Sequence, residues 1–372
     1  KERDCTYIDL TVLHDTEMAI ALYETLGFIR WATFTDTRKN VINEQHFTET
    51  SDEYDALNPY ARIIVDEAHR RGITAEIIDA EGGFFRLSYG GRSVACRESL
   101  TALTTAIAMS ICDDKRVTRR IVKRAGVKVP EQITVDEEDT ARAFLGRYGS
   151  VVVKPARGEQ GRGIAVGLTN WDDTRAAIDY ARTLSNEVIL EEFVEGVDLR
   201  IIVINYRVVA AAIRKPATII GNGKSTVREL IERQTKRRLA ATGGESAIPM
   251  DAETERCLAV AGYGYDDIPE TDASIAVRKT ANLHTGGTIH DVTGILHRAL
   301  IDAAVSAAKA IEIPVTGIDF IVKTPTEPTY WFIEANERPG LANHEPQPTA
   351  ARFIDLLFPQ TVPATVRKAL QM

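Results

Sequence analysis

The sequence predicts a mixed α+β protein, α/β in the broad sense, with two or three domains. Three observations point there. Short β-branched runs such as Val151-Val-Val153 and Ile201-Ile-Val-Ile204 recur along the chain. Helical patterns lie between them, and glycine or proline turns bound most segments. At 372 residues the chain is long enough for a large buried core and more than one lobe.

In chain order, Cys5 to Val12 reads as a strand, Ala19 to Phe28 as a helix and turn, and Phe28 to Phe34 as a further strand. Thr50 to Pro59 is polar and reads as a linker. A helix is expected from Ala61 to Arg71, ended by Gly72. Short strands follow around Ala75–Ile78, Phe84–Leu87 and Ser93–Cys96, with Gly90-Gly91 as a hairpin turn. The expected domains are residues 1–50, a linker and small domain at 51–112, one lobe at 113–195 and a second at 196–372.

The densest chemistry lies near the end. Phe320-Ile-Val322 and Tyr330-Trp-Phe-Ile333 read as strands joined by the turn-rich segment 323–329. Glu334 and Asn336 share one face of a strand, and a hairpin brings Asp319 alongside them. Two carboxylates and an amide oxygen, with no His or Cys, suit a hard cation such as Mg²⁺. For the hairpin taken alone, the competing reading is an edge with charged residues facing water.

Other segments bear on that choice. Val151-Val-Val-Lys154 delivers an ammonium to the tip of a buried strand, where a charge is costly without a partner. Glycines 158, 161 and 163 follow directly, in a loop whose backbone N–H groups can close on phosphate oxygens. Neither a Walker A motif nor a dinucleotide fingerprint fits it. Glu187 to Val194 forms a strand running into a turn at Glu195-Gly196, with Asp198 and Arg200 before the strand at Ile201. A lysine in a helical pattern, Lys115, precedes all of these.

The order and spacing of these elements resemble the ATP-grasp superfamily, and within it the amino-acid ligases of the cyanophycin synthetase and bifunctional glutathione synthetase type. Ile220-Gly-Asn-Gly-Lys-Ser-Thr226 through Leu230, and Thr280-Ala-Asn-Leu-His-Thr-Gly-Gly-Thr288 with Asp291-Val-Thr293, are similar to segments of those enzymes. The resemblance covers residues 95 to 358. It implies an ATP-grasp fold of two α+β lobes and an ATP-dependent carboxylate–amine ligase with ATP and Mg²⁺ as cofactors.

By that resemblance Lys115 and Lys154 contact the nucleotide phosphates, and Glu159 to Gly163, with Gly161 between, form a closing lid. Glu191 to Val194 form the adenine hinge, the backbone of Glu192 and Val194 reading its edge, and Asp198 accepts from the ribose. Asp319, Glu334 and Asn336 hold magnesium. Arg200, Arg214, Arg278 and Arg338 are the expected cations for acyl phosphate and substrate carboxylates. Asn282 is expected to orient the acyl substrate, and His344 to touch the second substrate or a phosphate. Glu334-Ala-Asn-Glu-Arg-Pro-Gly340 keeps the family frame E-x-N-x-x-P-G but sets Glu337 beside Arg338. That leaves two readings open on the substrate side: an amide side chain in place of a carboxylate, or internal pairing with Arg338.

Ala19 to Phe28 also resembles the closing helix and turn of a GNAT acyltransferase, and the chain opens on Lys1 without the glycine-rich loop such a fold needs upstream. The expectation is a C-terminal GNAT fragment of a longer fusion. A GNAT part joined to this kind of ligase resembles the N-acetylglutaminylglutamine synthetase family. Segments 40–47 and 112–120 agree with it.

A net charge of −8 argues against a nucleic-acid partner. Cys5, Cys96, Cys112 and Cys257 are far apart, show no zinc spacing and read as buried thiols in a reducing compartment. No apolar run reaches membrane-span length, so no membrane association is expected and cytoplasmic location is the default. The expected partners are small amino-acid or dipeptide substrates, with a homo-oligomer open. Two other functions stay in view: a ligase extending a polymer or peptide tail, and a nucleotide-binding regulatory module of an acetyltransferase.

Overall fold

A computed structural model of the chain describes residues 17–28, 52–157, 163–241, 246–281 and 283–362. Helix α1 (Glu17–Thr25) occupies the first expected helix. The strands expected at 5–12 and 29–34, and segment 40–47, lie outside the described residues. A short helix, α2 (Asp52–Asp55), interrupts the expected linker.

Helix α3 (Pro59–Arg70) begins where Asn58 caps it: the Asn58 carboxamide oxygen accepts from Ala61 N–H at 3.0 Å. Proline stands at the first helical position, where no N–H is needed. Strands β1 (Thr74–Asp79), β2 (Phe84–Tyr89), β3 (Arg92–Arg97) and β4 (Leu100–Thr101) form an antiparallel meander in that order. The Gly90-Gly91 turn joins β2 to β3 with both glycines at positive φ.

Helices α4 (Ala106–Asp113) and α5 (Lys115–Arg124) come next, and the Asp114 carboxylate between them caps α5. A four-stranded sheet then forms from β5 (Gln132–Thr134), β6 (Val151–Pro155), β7 (Ala165–Leu168) and β8 (Val188–Glu192), in the order β5-β8-β6-β7. Helices α6 (Glu138–Tyr148) and α7 (Trp171–Leu184) complete its core around Phe144, Val151, Val153, Ile178 and Leu190.

The larger sheet contains β9 (Val197–Ile204), β10 (Arg207–Lys215), β13 (Thr288–Asp291), β14 (Val315–Val322) and β15 (Tyr330–Asn336), in the order β13-β10-β9-β14-β15. Between β10 and β13 the chain makes a small two-stranded sheet from β11 (Thr218–Ile220) and β12 (Ser274–Ala276). Helices α8 (Val227–Ala241) and α9 (Ala252–Val260) close over it around Ile219, Val227, Ile231 and Leu258. Helices α10 (Arg298–Ile311) and α11 (Thr349–Leu357) flank the large sheet.

Both faces of that sheet are covered. Leu199, Ile201 and Val203 of β9 pack with α4, α5 and α10, while Ile202 and Ile204 pack with α3, α11 and the β1–β3 meander. This is the period-two alternation of a strand, and burial on both sides explains the unbroken apolar run Ile201–Ile204 within β9.

The packing differs from the expected domain division in two places. Residues 51–112 share a core with the large sheet rather than standing as a separate small domain. Helix α5, placed by sequence order with the first lobe, buries Thr118 and Val122, and Val122 joins the core of the large sheet. The reason is chemical: the sheet has two apolar faces, and neither lobe alone supplies both covers.

Candidate functional site

A cleft of about 1240 Å³ lies between the two sheets. Its wall includes Lys115, Lys154, Glu191, Glu192, Val194, Asp198, Arg200, Arg214, Asp319, Glu334, Asn336 and Arg338. Twelve of the expected site residues therefore meet in one place. Gly163 and Arg278 are not on that wall, and Glu159, Gly161 and Asn282 lie outside the described residues. The apolar part of the lining comes from Val152, Val166 and Phe193 on one side and Ile321 and Ile333 on the other.

The expected hairpin forms, and its register explains the carboxylates. Strands β14 and β15 pair antiparallel with Asp319 opposite Glu334, next to a bulge between Asp319 and Phe320. Glu334 comes within hydrogen-bonding reach of Asp319. Two carboxylates that close repel unless cations sit with them.

Here the nearest cations are guanidiniums. Arg200 grips both oxygens of Asp319, with Nη2 to Oδ2 at 2.8 Å, and Arg214 Nη2 donates to the same Oδ2 at 2.8 Å. Burial works against the Asp319 charge, but Arg200 and Arg214 outweigh it and hold the carboxyl down at about 2.

The donor set fits Mg²⁺ in kind, being hard oxygens throughout. Among the described residues no three His, Cys, Asp or Glu side chains converge as a metal group, so a cation on Asp319 and Glu334 would need further oxygen ligands beyond these residue types. Asn336 shows its nitrogen to Asp319, at 3.5 Å, and to the Gly317 carbonyl, at 3.3 Å. Loading a cation there requires Asn336 to present its oxygen and Arg200 or Arg214 to give up a bond to Asp319.

Asp198 stands in β9 and not in the turn before it, because β9 starts at Val197. Its carboxylate is taken by Arg214 at 2.8 and 2.9 Å, so the expected ribose acceptor is an arginine partner in this structure. Burial opposes the Arg214 charge, yet Asp319 and Asp198 together push its pKa above the usual arginine range.

On the opposite sheet Lys154 is buried, and its ammonium meets the Glu191 carboxylate at 2.7 Å. Gln132 donates to the other Glu191 oxygen at 3.2 Å. The lysine's required partner is thus the residue expected at the adenine hinge. Glu192 N–H is likewise committed, donating to Glu131 O at 2.9 Å, and cannot read an adenine edge.

Three further expectations need correction. Arg278 is buried beneath α9, where its guanidinium meets the capping Asp251 and donates to Thr254 Oγ1 at 3.1 Å. Gly163 serves packing: at φ 73° a Cβ there would come within 2.7 Å of Leu184 and 3.0 Å of Pro155. His344 is buried off the cleft wall, and Asn343 takes the place on it. Burial, reinforced by Arg200 and Arg214, lowers the His344 pKa to about 4, so its ring is neutral at pH 7.

Sequence reasoning missed Asn58 and Tyr60 at the start of α3, Glu98 in the turn after β3, and Arg157, Lys215 and Lys279. The last three carry a weak signal, since each adjoins a residue or loop already singled out. The first three carry none, because only the fold brings them across.

Residues 112–225 match the RimK-like ATP-grasp domain. Cyanophycin synthetase of Trichormus variabilis is 32% identical over 320 residues, covering 82% of this chain and 35% of that protein. The glutathione biosynthesis bifunctional protein of Clostridium perfringens is 28% identical over 323 residues, covering 82% of this chain and 42% of that protein. The chain thus spans well under half the length of these relatives. Among solved structures, the bifunctional glutathione synthetase from Pasteurella multocida superposes with a TM-score of 0.60 at 25% identity, over 82% of this chain and 45% of that one. The chain has the ATP-grasp fold, and residues 112–225 form a RimK-like ATP-grasp domain.

Proposed function

We propose that the chain is an ATP-dependent carboxylate–amine ligase that forms an amide or peptide bond through an acyl phosphate. The observation that carries this reading is the convergence, in one cleft, of a strand-end lysine, an abutting carboxylate pair and two arginines. A carboxylate has no leaving group. Transfer of the γ-phosphoryl group supplies one and releases ADP; the amine then attacks the acyl carbon, phosphate departs and the amine proton goes to solvent. Such chemistry depends on positioning and charge neutralisation, which is what this lining offers.

In this reading Lys115 and Lys154 hold the phosphates, and Asp319, Glu334 and Asn336 would hold magnesium, which would supply charge neutralisation for phosphoryl transfer. Arg200 and Arg214, both on the cleft wall, are the cations for the acyl phosphate. With Glu192 N–H committed, Val194 reads the adenine edge between Val152, Val166, Ile321 and Ile333. Glu159 to Arg162, anchored where Gly163 packs against Leu184 and Pro155, act as the lid that keeps water from the acyl phosphate.

The product we favour is a dipeptide of the N-acetylglutaminylglutamine type, made in a protein that also carries a GNAT acyltransferase part, in the cytoplasm. Its support is the pair of sequence resemblances around Ala19–Phe28 and the ATP-grasp motifs. The test is magnesium-dependent phosphate release from ATP with N-acetylglutamine, glutamine, glutamate and aspartate, singly and in pairs. Release that needs one specific pair, with a product heavier by one amide bond, supports the reading. No release with any pair overturns the dipeptide, and release with a peptide or polymer primer assigns the site to chain extension.

A further inference from the structure

One end of the cleft is built by two segments 240 residues apart. Arg338, following the metal-binding strand β15, donates through Nη1 to the Glu98 carboxylate at 3.1 Å. Asn58 Nδ2 donates to the other Glu98 oxygen at 3.0 Å. Glu98 sits in the turn after β3 at φ 51°, a left-handed conformation that residues with side chains rarely adopt. The turn is pinned on both sides: Glu98 N–H donates to Gly83 O at 2.9 Å, and the next residue, Ser99, donates through Oγ to Pro339 O at 2.7 Å. A strained backbone held this firmly, with its carboxylate on the wall of a ligand cleft, points to a functional constraint.

The chemistry of this end follows from its charges. Arg338 is the cation expected to bind a substrate carboxylate, yet it already has a counterion in Glu98, and Glu337 lines the cleft beside it. The guanidinium is paired with Glu98, and Glu337 adds a second acid to the cleft lining. The remaining wall is neutral and hydrogen-bonding: Asn58, Asn343 and Tyr60. Gly340 lets the last two approach, since a Cβ there would come within 2.7 Å of the Asn343 amide and 2.8 Å of the Tyr60 ring. A carboxylate entering here meets a guanidinium already neutralised and a second acid beside it. A carboxamide meets an N–H donor in Arg338, for its oxygen, next to an acceptor in Glu98, for its NH₂.

We propose that Glu98 is the residue that sets substrate specificity at this end of the cleft, selecting an amino-acid substrate with a neutral carboxamide terminus over its carboxylate counterpart by neutralising Arg338. This rests on the ligase reading and deepens it by naming the residue that enforces the charge class of one substrate. Glu98 acts through Arg338 as well as directly, so the test must separate selectivity from folding.

The experiment compares glutamine with glutamate, and asparagine with aspartate, in magnesium-dependent phosphate release by the full chain. It uses the wild type, Glu98→Gln, Arg338→Gln and the double variant. The wild type favours the carboxamide member of a pair. Glu98→Gln frees the guanidinium and lowers that preference about tenfold or more, through the KM for the amino acid and with the KM for ATP unchanged. Arg338→Gln leaves Glu98 unopposed and moves the preference the other way. The double variant, neutral again, returns toward wild type. Opposite shifts from the two single variants are what a purely structural pair would not give. Wild-type preference for the carboxylate member, or equal losses with every substrate, would overturn the proposal. If the wild type releases no phosphate with any pair, the dipeptide reading fails by itself. Calorimetric titration of glutamine and glutamate into the same four proteins then decides the specificity proposal on affinity alone: the same opposite shifts uphold it, and equal affinities in all four overturn it.

Discussion

The two sheets that face each other across the cleft treat charge differently. In the four-stranded sheet one lysine and one glutamate, Lys154 and Glu191, form a closed pair, both buried. In the five-stranded sheet Arg200, Arg214, Asp198, Asp319 and Glu334 form an open network in which Arg214 and Asp319 each have more than one partner. A closed pair supplies one fixed charge and keeps its geometry when a ligand arrives. A shared network can exchange partners, because removing one bond leaves each group with another. The contrast suits a lobe that positions phosphates and a lobe that rearranges around a metal and an acyl group.

The largest effect expected falls on the open network. Glu334→Ala should lower turnover by about 10³-fold, the scale for losing a group that stabilises developing charge, while circular dichroism and the melting temperature stay near wild type. A variant turning over at close to the wild-type rate would break the contrast by showing that Asp319 and the arginines suffice. For the closed pair the loss should appear in stability first. Lys154→Ala strands Glu191 in the interior and should cost about 3 kcal/mol or more of unfolding free energy, with ATP affinity falling as well. Lys154→Met with Glu191→Met should regain most of the stability and none of the activity. Denaturant titrations measure both, and a single variant as stable as wild type would mean that Lys154 is not paired as described.

Acid tests the ground under the network. His344 is held neutral in the fold, with its pKa lowered to about 4 by burial and the nearby arginines. The unfolded chain binds that proton at about 6.5, so between these values the unfolded state carries more protons and stability falls as pH falls. The expected loss is about 3 kcal/mol between pH 6.5 and 4. His344→Gln should flatten the curve there, and an unchanged slope would remove His344 as its source. The smallest effect belongs to Lys115, half-buried at the start of α5. Lys115→Ala should raise the KM for ATP several-fold and shift stability by about 0.5 kcal/mol or less. A larger stability loss would assign it a structural role.

Much of this was legible because strand periodicity and turn residues are local. Asp319, Glu334 and Asn336 could be placed on one hairpin from alternation alone, and Lys154 at a strand tip from three preceding valines. What could not be read was partnership. That Lys154 answers to Glu191, Asp198 to Arg214 and Arg338 to Glu98 depends on strand order and on packing between segments up to 240 residues apart. Arg278 was misread for the same reason, since its neighbour Asp251 belongs to a helix that only the fold brings near. The pattern at Glu337-Arg338 left internal pairing open, and the structure supplies a partner from another element.

The doubly covered sheet has a consequence for how such a chain can be taken apart. Ile202, Ile204, Phe353 and Leu357 are sealed by α3 and the first meander, and buried Arg71 ties α3 to α11 through Asp355 at 2.6 Å and the Ala351 carbonyl at 2.9 Å. A cut placed just before residue 112, where the family match begins, would leave that apolar surface bare and precipitate the remaining part of the chain. Residues 57–96 therefore behave as half of a shell and not as a detachable cassette. Any recombination that exchanges them must exchange α11 and the rim of the substrate cleft in the same event.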